Sequence, residues 1–254
     1  MTAPYRDERF NWRAAENVVV VLFLILFSEG LFQRLISPVA SADGSPLLRQ
    51  LWLPAYGFAI AMSAFHWRAL LQICLRAPFL ILLVLLTLAS AAWSIDPGIT
   101  LRRSVALICT TWFGLYLAAR YTWPDLLRLF GWAWLIVAAA NLIAALAAPG
   151  IAVDHATHAG AWMGLYPEKN ALGGVMARAS FLFGILLLAD ERHRKAWALG
   201  LALCVLLVLM STSKTALLAT ILGAVAIGAG ILVKRSAVLA IGTVWAGVMA
   251  VVAI

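Results

Sequence analysis

Long apolar runs separated by short polar connections make up most of this 254-residue chain. A helix needs about 20 mostly apolar residues to cross a hydrocarbon layer of about 30 Å. The pattern therefore predicts an all-α polytopic membrane bundle with about nine transmembrane helices and no soluble domain. The predicted spans are 18–36, 50–66, 77–92, 103–119, 126–148, 171–189, 196–210, 215–233 and 236–254.

Short connections between the runs are expected for antiparallel neighbouring helices. Asp96-Pro97-Gly98 is a turn signal, and the residues from Asp190 to Lys195 form a compact link. The outer loop 149–170 is the one sizeable connection, and it mixes aromatic residues with potential ligands for an anion. Residues 1–254 are accordingly predicted to form a single transmembrane domain.

The composition is 64% hydrophobic and 12% charged, which excludes a large soluble core. The net charge of +8 is spread in ones to threes between spans, a distribution that argues against a nucleic-acid partner. With a cytoplasmic N-terminus, 12 of the 19 lysines and arginines lie on the cytoplasmic side. The positive-inside rule therefore predicts this orientation, with an uncleaved first span. Five cations between residues 102 and 214 then lie on the outer side without a topological reason.

Arg102 and Arg103 open a predicted helix on the outer side. The arginine side chain suits phosphate because its donor fork is planar and permanently charged. Adjacent helical residues point about 100° apart, so one of the two is expected to face inward while the other reaches lipid headgroups. The alternative is that both are interfacial anchors.

The segment from Gly164 to Gly173 is the most polar stretch of the loop and of the following helix start. Asn170 is a predicted N-cap, so that free amide groups at the helix N-terminus face an anion and Lys169 adds a charge. Lys214, the only charge in the link from Ser211 to Thr215, is a second candidate for binding pyrophosphate. Alternatively, both lysines only reach the headgroup level.

Two residues carry charge inside predicted spans, where charge is expensive. Glu29 and Arg178 lie at comparable predicted depth, and we expect them to pair inside the bundle. The alternative is that both lie near water because the span boundaries are shifted.

The candidates for proton transfer or metal binding are weaker. His158 and Glu168 are possible general bases, although nothing in the sequence fixes their geometry. His155 and His158 lie near Asp154, yet no third ligand is evident, and no metal or other cofactor is predicted. Cys74, Cys109 and Cys204 are expected to be apolar packing residues.

Three stretches together resemble the O-antigen ligase and polysaccharide polymerase superfamily, and most closely its exopolysaccharide-polymerase branch. The first comprises Trp93-Ser-Ile-Asp-Pro, Leu101-Arg-Arg-Ser104 and Gly114-Leu-Tyr-Leu-Ala-Ala-Arg120. The second is Gly164 through Lys169-Asn170-Ala-Leu-Gly173, and the third is Ser211-Thr-Ser-Lys-Thr215. The resemblance covers roughly residues 75–233.

The resemblance implies a metal-independent glycosyltransferase of the bacterial inner membrane, open to the periplasm. Its implied substrate is an undecaprenyl-pyrophosphate-linked oligosaccharide, and its implied partners are membrane lipid and other polysaccharide assembly proteins. Arg102 or Arg103, Lys169 and Lys214 match the positions expected to bind the pyrophosphate, with Asn170 orienting the helix end.

Two departures accompany the resemblance. Glu168 stands where the family often has a histidine. Members also usually continue into a large periplasmic loop that bears the expected catalytic residues and is followed by final helices. The chain is therefore expected to be an N-terminal portion, with catalytic residues that it does not itself show.

Other functions stay open at this point. A ligase would transfer the glycan to the lipid A core rather than to another lipid-linked repeat. A secondary transporter would show related halves, and the sequence has no convincing internal repeat. A non-catalytic assembly subunit is the third reading.

Overall fold

The computed structural model describes residues 12–28, 46–235 and 242, and over these residues the protein is built from helices. No β-strand occurs in this described part, so the predicted all-α class is confirmed there. The longer helices are α1 (Trp12–Leu26), α2 (Pro46–Phe65), α3 (Trp67–Arg76), α4 (Pro78–Ala89), α5 (Pro97–Arg120), α6 (Trp123–Ala147), α7 (Lys169–Ala189), α8 (Arg194–Met210) and α9 (Lys214–Arg235). Short helical turns lie at Ser90–Trp93, Pro149–Ala152 and Glu191–His193.

Five helical segments of the described chain are long and apolar enough to cross a membrane, as is typical of a membrane protein. They are Gln50–Arg76, Trp123–Ala147, Lys169–Ala189, Glu191–Met210 and Lys214–Val233. The predicted number of nine spans stays a prediction, since part of the first span and nearly all of the ninth lie outside the described residues. One boundary differs: residues 67–76, which the predicted spans leave as a connection, form helix α3.

The contacts divide the chain into two compact units. The large unit consists of Met1–Leu31 and Leu127–Ile254, and the small unit consists of Phe32–Leu126. The prediction of a single transmembrane domain stays a prediction.

Helix α7 is the centre of the large unit, where it packs along both α8 and α9. Glycines allow these helices to approach closely: a Cβ at Gly200 of α8 would lie 2.6 Å from the ring of Phe183, and one at Gly184 would lie 2.6 Å from Ile227 of α9. Small residues at helix contacts are typical of membrane bundles, which lack a hydrophobic driving force between helices. Packing against α8 and α9 therefore fixes the positions of the residues at both ends of α7.

The small unit is built around α5, which packs on α2 and α4. Tyr116 of α5 is fully buried, with its ring edge-on to Phe58 of α2 at 5.8 Å. Trp112 Nε1 donates a hydrogen bond to Ser63 Oγ at 3.0 Å. These contacts join α2 and α5 through aromatic packing and one satisfied polar pair.

Candidate functional site

Asp154 folds the tip of the loop between α6 and α7. Its Oδ1 accepts hydrogen bonds from the amides of Ala156 at 2.9 Å and Thr157 at 3.0 Å, and its Oδ2 accepts one from the amide of His158 at 3.0 Å. These amide donors, that of Ala156 foremost, lower the pKa of Asp154 below the ordinary aspartate value. Asp154 is therefore a structural residue of the loop.

His158 is exposed, and its Nδ1 lies 3.8 Å from Asp154 Oδ2. His155 is also exposed, with Nε2 lying 3.3 Å from the carbonyl oxygen of Pro149. Within the described residues, no group of three or more His, Cys, Asp or Glu side chains is arranged to hold a metal ion. Both loop imidazoles therefore face solvent, and the Asp154 carboxylate near them already accepts hydrogen bonds from backbone amides.

Asn141, a buried residue of α6, holds the start of the polar segment Gly164 to Gly173. Its Nδ2 donates to the carbonyl of Val137 at 2.8 Å, and its Oδ1 accepts from the amide of Leu165 at 2.9 Å. Gly164 has a φ of +59°, and a Cβ there would collide with Asn141 Oδ1. Only glycine fits this position. An asparagine in an apolar run is the sequence signal that would have indicated this residue.

Tyr166 is a second anchor of the segment. Its side chain is fully buried, and its hydroxyl donates to the carbonyl oxygen of Ser28 at 2.8 Å, just after the end of α1. Tyr166 therefore packs inside the protein rather than at its surface. The next residues, Pro167 and Glu168, are exposed.

Helix α7 begins at Lys169, two residues earlier than the predicted span 171–189. Glu168 occupies the N-cap position with extended backbone and no side-chain cap, and the amide of Leu172 bonds to its carbonyl oxygen. The prediction of Asn170 as the N-cap is wrong, because this helical hydrogen bond already starts at residue 168. Asn170 instead lies exposed in the first turn.

The turn between α8 and α9 is a compact serine-threonine-serine link. Ser211 and Ser213 are buried, and Ser213 Oγ accepts a hydrogen bond from the amide of Ala216 at 3.4 Å, as an N-cap does. Thr212 is exposed between them with a φ of +51°, a strained conformation for a β-branched residue. Lys214, the first residue of α9, is also exposed.

Two of the predicted cationic motifs meet at this turn. Lys169 Nζ lies 3.5 Å from Thr212 Oγ1. Below them, a Cβ at Gly173 would lie 2.8 Å from that of Ala216 and 2.9 Å from Ser211 Oγ, so the start of α7 is in tight contact with the turn. The exposed or partly exposed polar residues around this contact form what we call the Lys169 cluster: Glu168, Lys169, Asn170, Thr212 and Lys214.

Arg178 lies nine residues beyond Lys169, or about 14 Å along α7. It lines an open groove of about 590 Å³ between α7 and α9, together with Gly174, Phe181 and Gly223. A Cβ at Gly174 would meet nothing within 4 Å, so this glycine faces the groove while Gly173 faces the turn. Glu29 lies outside the described residues, and its pairing with Arg178 stays a prediction.

Arg102 and Arg103 lie in the small unit, near the start of α5. Asp96 caps this helix, with Oδ1 accepting from the amide of Ile99 at 2.9 Å, and Pro97 is its first residue. Both arginine side chains are exposed, so the expectation that one of them faces inward is wrong. The neighbouring Ser104 occupies the inward position and donates to the carbonyl of Thr87.

A charged cluster around the buried Asp190, at the other end of α7, was not expected from the sequence. Asp190 Oδ2 lies 3.2 Å from Arg128 Nε, 3.1 Å from His193 Nδ1 and 3.1 Å from Trp197 Nε1. Trp132 of α6 packs on the rings of His193 and Trp197. Burial raises the pKa of Asp190, but the hydrogen bonds from His193 and Trp197 and the Arg128 charge outweigh it, so the pKa lies below the ordinary value.

Comparison of the chain with protein-family models, with curated proteins and with solved structures found no match.

Proposed function

We propose that this protein is a membrane glycosyltransferase that joins undecaprenyl-pyrophosphate-linked glycan repeats at the outer face of a bacterial inner membrane. The observation that carries the proposal is the Lys169 cluster, in which cations from two separate motifs converge on one turn. These are the motifs through which the chain resembles polysaccharide polymerases. The apolar helices that hold the cluster are consistent with a lipid-linked substrate.

The chemistry of such a transfer explains why cations are needed. The oxygen of an acceptor hydroxyl forms a bond to the anomeric carbon, while the bond from that carbon to the pyrophosphate oxygen breaks. The pyrophosphate leaves on its lipid with the electron pair, and the hydroxyl proton passes to a base. Fixed cations next to the leaving group lower the barrier because they stabilise its growing negative charge.

Within the proposal, Lys169 and Lys214 bind the pyrophosphate and Asn170 adds an amide donor. The hydroxyl of Thr212, 3.5 Å from Lys169 Nζ, orients that ammonium group. The general base is left unassigned, and Glu168 and His158, both exposed, remain its candidates. Arg102 or Arg103 is proposed as a further pyrophosphate ligand on the basis of the resemblance alone.

Alanine substitutions test this assignment. We expect Lys169→Ala and Lys214→Ala each to reduce polymer formation from a purified lipid-linked donor by about 10-fold or more, because each removes a charge that stabilises the leaving group. Lys195→Ala is the matched control, since Lys195 is an exposed lysine near the opposite end of α7. Membrane insertion is measured in parallel by fractionation.

Wild-type amount and length of polymer in both cluster variants would overturn the proposal. The acceptor is tested separately by offering either a second lipid-linked repeat or lipid A core. Transfer to the core alone would replace the polymerase assignment with that of a ligase, while the role of the cluster would be unchanged. Arg103→Ala in the same assay tests the small unit's contribution, and we expect reduced polymer formation.

A further inference from the structure

Helix α3 is a short amphipathic helix between two strongly apolar ones. Its ends are set by His66, with φ −122° and ψ 19°, and by Ala77, with φ −121° and ψ 57°, next to Pro78. His66 interrupts the long helical segment Gln50–Arg76 at one residue, and Ala77 with Pro78 separates α3 from α4. The 20 residues of α2 are long enough by themselves to cross a hydrocarbon layer, so the spanning segment does not need α3. Its ten residues are Trp-Arg-Ala-Leu-Leu-Gln-Ile-Cys-Leu-Arg.

Positions four apart lie on the same side of a helix, so the residues of α3 divide into a polar row, an apolar row and an inward-facing side. One row is polar: Arg68, Gln72 and Arg76. The adjacent row is apolar: Trp67, Leu71 and Leu75. The third side packs inward, with Leu70 buried and Ile73 and Cys74 half-buried.

The apolar row is the informative one, because the small unit does not cover it. The exposed fractions are 57% for Trp67, 52% for Leu71 and 73% for Leu75. The polar row beside it is exposed as well. An exposed apolar row along an exposed cationic row is the arrangement of a helix that lies in a membrane interface.

The surroundings of α3 indicate hydrocarbon beside the apolar row. None of the twelve residues of α4, which starts at Pro78, is buried, although the helix is almost entirely apolar. An open apolar groove of about 550 Å³, lined by Ile60, Trp67, Leu71 and Trp112, runs between α2 and α3. The indole N–H of Trp112 is satisfied by Ser63, so the groove lining is mostly apolar.

We propose that α3 is an interfacial helix that binds anionic phospholipids of the bilayer. Arg68 and Arg76 hold headgroup phosphates, and Trp67, Leu71 and Leu75 lie against the acyl chains. The Arg68 guanidinium lies 5.4 Å over the Trp67 ring, which places a cation and an interfacial aromatic residue at one level. A lipid is favoured over a protein partner because both arginines border an exposed apolar row and the next helix, α4, is also apolar and unburied.

The first test measures lipid retention. The full chain is purified from bilayers that contain equal phosphatidylglycerol and phosphatidylcholine, and bound lipids are counted by native mass spectrometry. We expect Arg68→Gln with Arg76→Gln to halve the retained phosphatidylglycerol, at least, and to leave phosphatidylcholine unchanged. The control, Arg192→Gln with Arg194→Gln, removes the same charge from two exposed arginines at the start of α8 and should retain wild-type levels. Equal retention by the two variants overturns the proposal.

The second test locates the two rows in intact bilayers. Cysteines are introduced singly as Leu71→Cys and Gln72→Cys, in a background carrying Cys74→Ala, Cys109→Ala and Cys204→Ala. With a water-soluble maleimide on both sides of the vesicles, Gln72→Cys should be labelled, whereas Leu71→Cys should be labelled only after dissolution in SDS. Equal labelling of both positions, or protection of both, contradicts an interfacial helix.

Discussion

The two ends of α7 differ in whether their charged side chains are exposed or buried. At its start, Lys169 and its polar neighbours lie at the surface of a tightly packed turn, and the lysine's contact with Thr212 is a long 3.5 Å. Just beyond its end, Asp190 is buried, and three donors converge on one carboxylate oxygen. With 21 residues the helix is about 30 Å long, which is enough for its two ends to reach opposite sides of a bilayer.

This difference separates stabilisation from binding. A buried carboxylate that is compensated by nearby donors stabilises the fold and offers little to a ligand. An ammonium group at the surface that contacts only one hydroxyl is available to bind an anionic ligand. The buried packing beneath it fixes its position. We therefore expect substitutions at Asp190 to lower stability and substitutions in the Lys169 cluster to lower activity.

The largest effect is expected from Asp190→Ala. The substitution leaves the buried Trp197 N–H without its acceptor, which costs about 2 kcal/mol, and the loss of the half-exposed Arg128 partner adds less than about 1 kcal/mol. The apparent Tm of the purified protein in detergent should fall by roughly 5–10 °C. Glu191→Ala, which removes the adjacent exposed carboxylate, should melt as the wild type does. Equal melting of the two variants would contradict a stabilising role for Asp190.

The pH dependence of melting provides a second measure of the same residue. Because the pKa of Asp190 is lowered in the folded protein, its contribution to stability is complete above the ordinary aspartate value of 3.8. The contribution is lost as the pH falls below 3.8 and the buried carboxylate takes up its proton. The apparent Tm of the wild type should therefore fall more steeply in this range than that of Asp190→Asn, whereas parallel curves would exclude the coupling.

A smaller loss of activity is expected from Gly173→Ala. This variant tests whether the tight packing under the Lys169 cluster matters, as opposed to the flexibility that any glycine gives a helix. The new Cβ would press on Ala216 and Ser211, and overpacking of this kind costs about 1–3 kcal/mol. The displaced turn should lower polymer formation several-fold in the donor assay. Gly174→Ala is the matched control because its Cβ meets nothing within 4 Å, and equal activities of the two variants would show that the contact is unimportant.

Those two glycines also show how far the sequence predicts this site. Hydropathy locates the apolar helices, and local turn signals locate the start of α7 and the link at Ser211 to within two residues, because both depend on neighbours in the chain. Gly173 and Gly174 are indistinguishable in the sequence. Only the packing of α9 makes one of them tight and leaves the other open.

Most of the features that the sequence does not predict depend on long-range contacts. The bond from Tyr166 to the carbonyl of Ser28 joins residues 138 positions apart, and no local pattern encodes it. Asp190 likewise lies in a charged link that looks solvent-exposed in the sequence. Its partner Arg128 is 62 positions away, so no local pattern indicates the ion pair. Charge patterns thus identify candidate residues, while burial decides which of them serve the fold.

The smallest effect is expected at Thr212, where strain and binding act on one residue. A β-branched side chain at φ +51° costs about 1 kcal/mol, so Thr212→Gly should raise the apparent Tm by a few degrees. The same change removes the hydroxyl beside Lys169 Nζ and should lower polymer formation modestly. Thr212→Asn separates the two effects, because asparagine tolerates this backbone conformation and restores a polar oxygen. It should gain the stability and keep the activity, and a Thr212→Gly variant that melts no higher than the wild type would show that the turn carries no such strain.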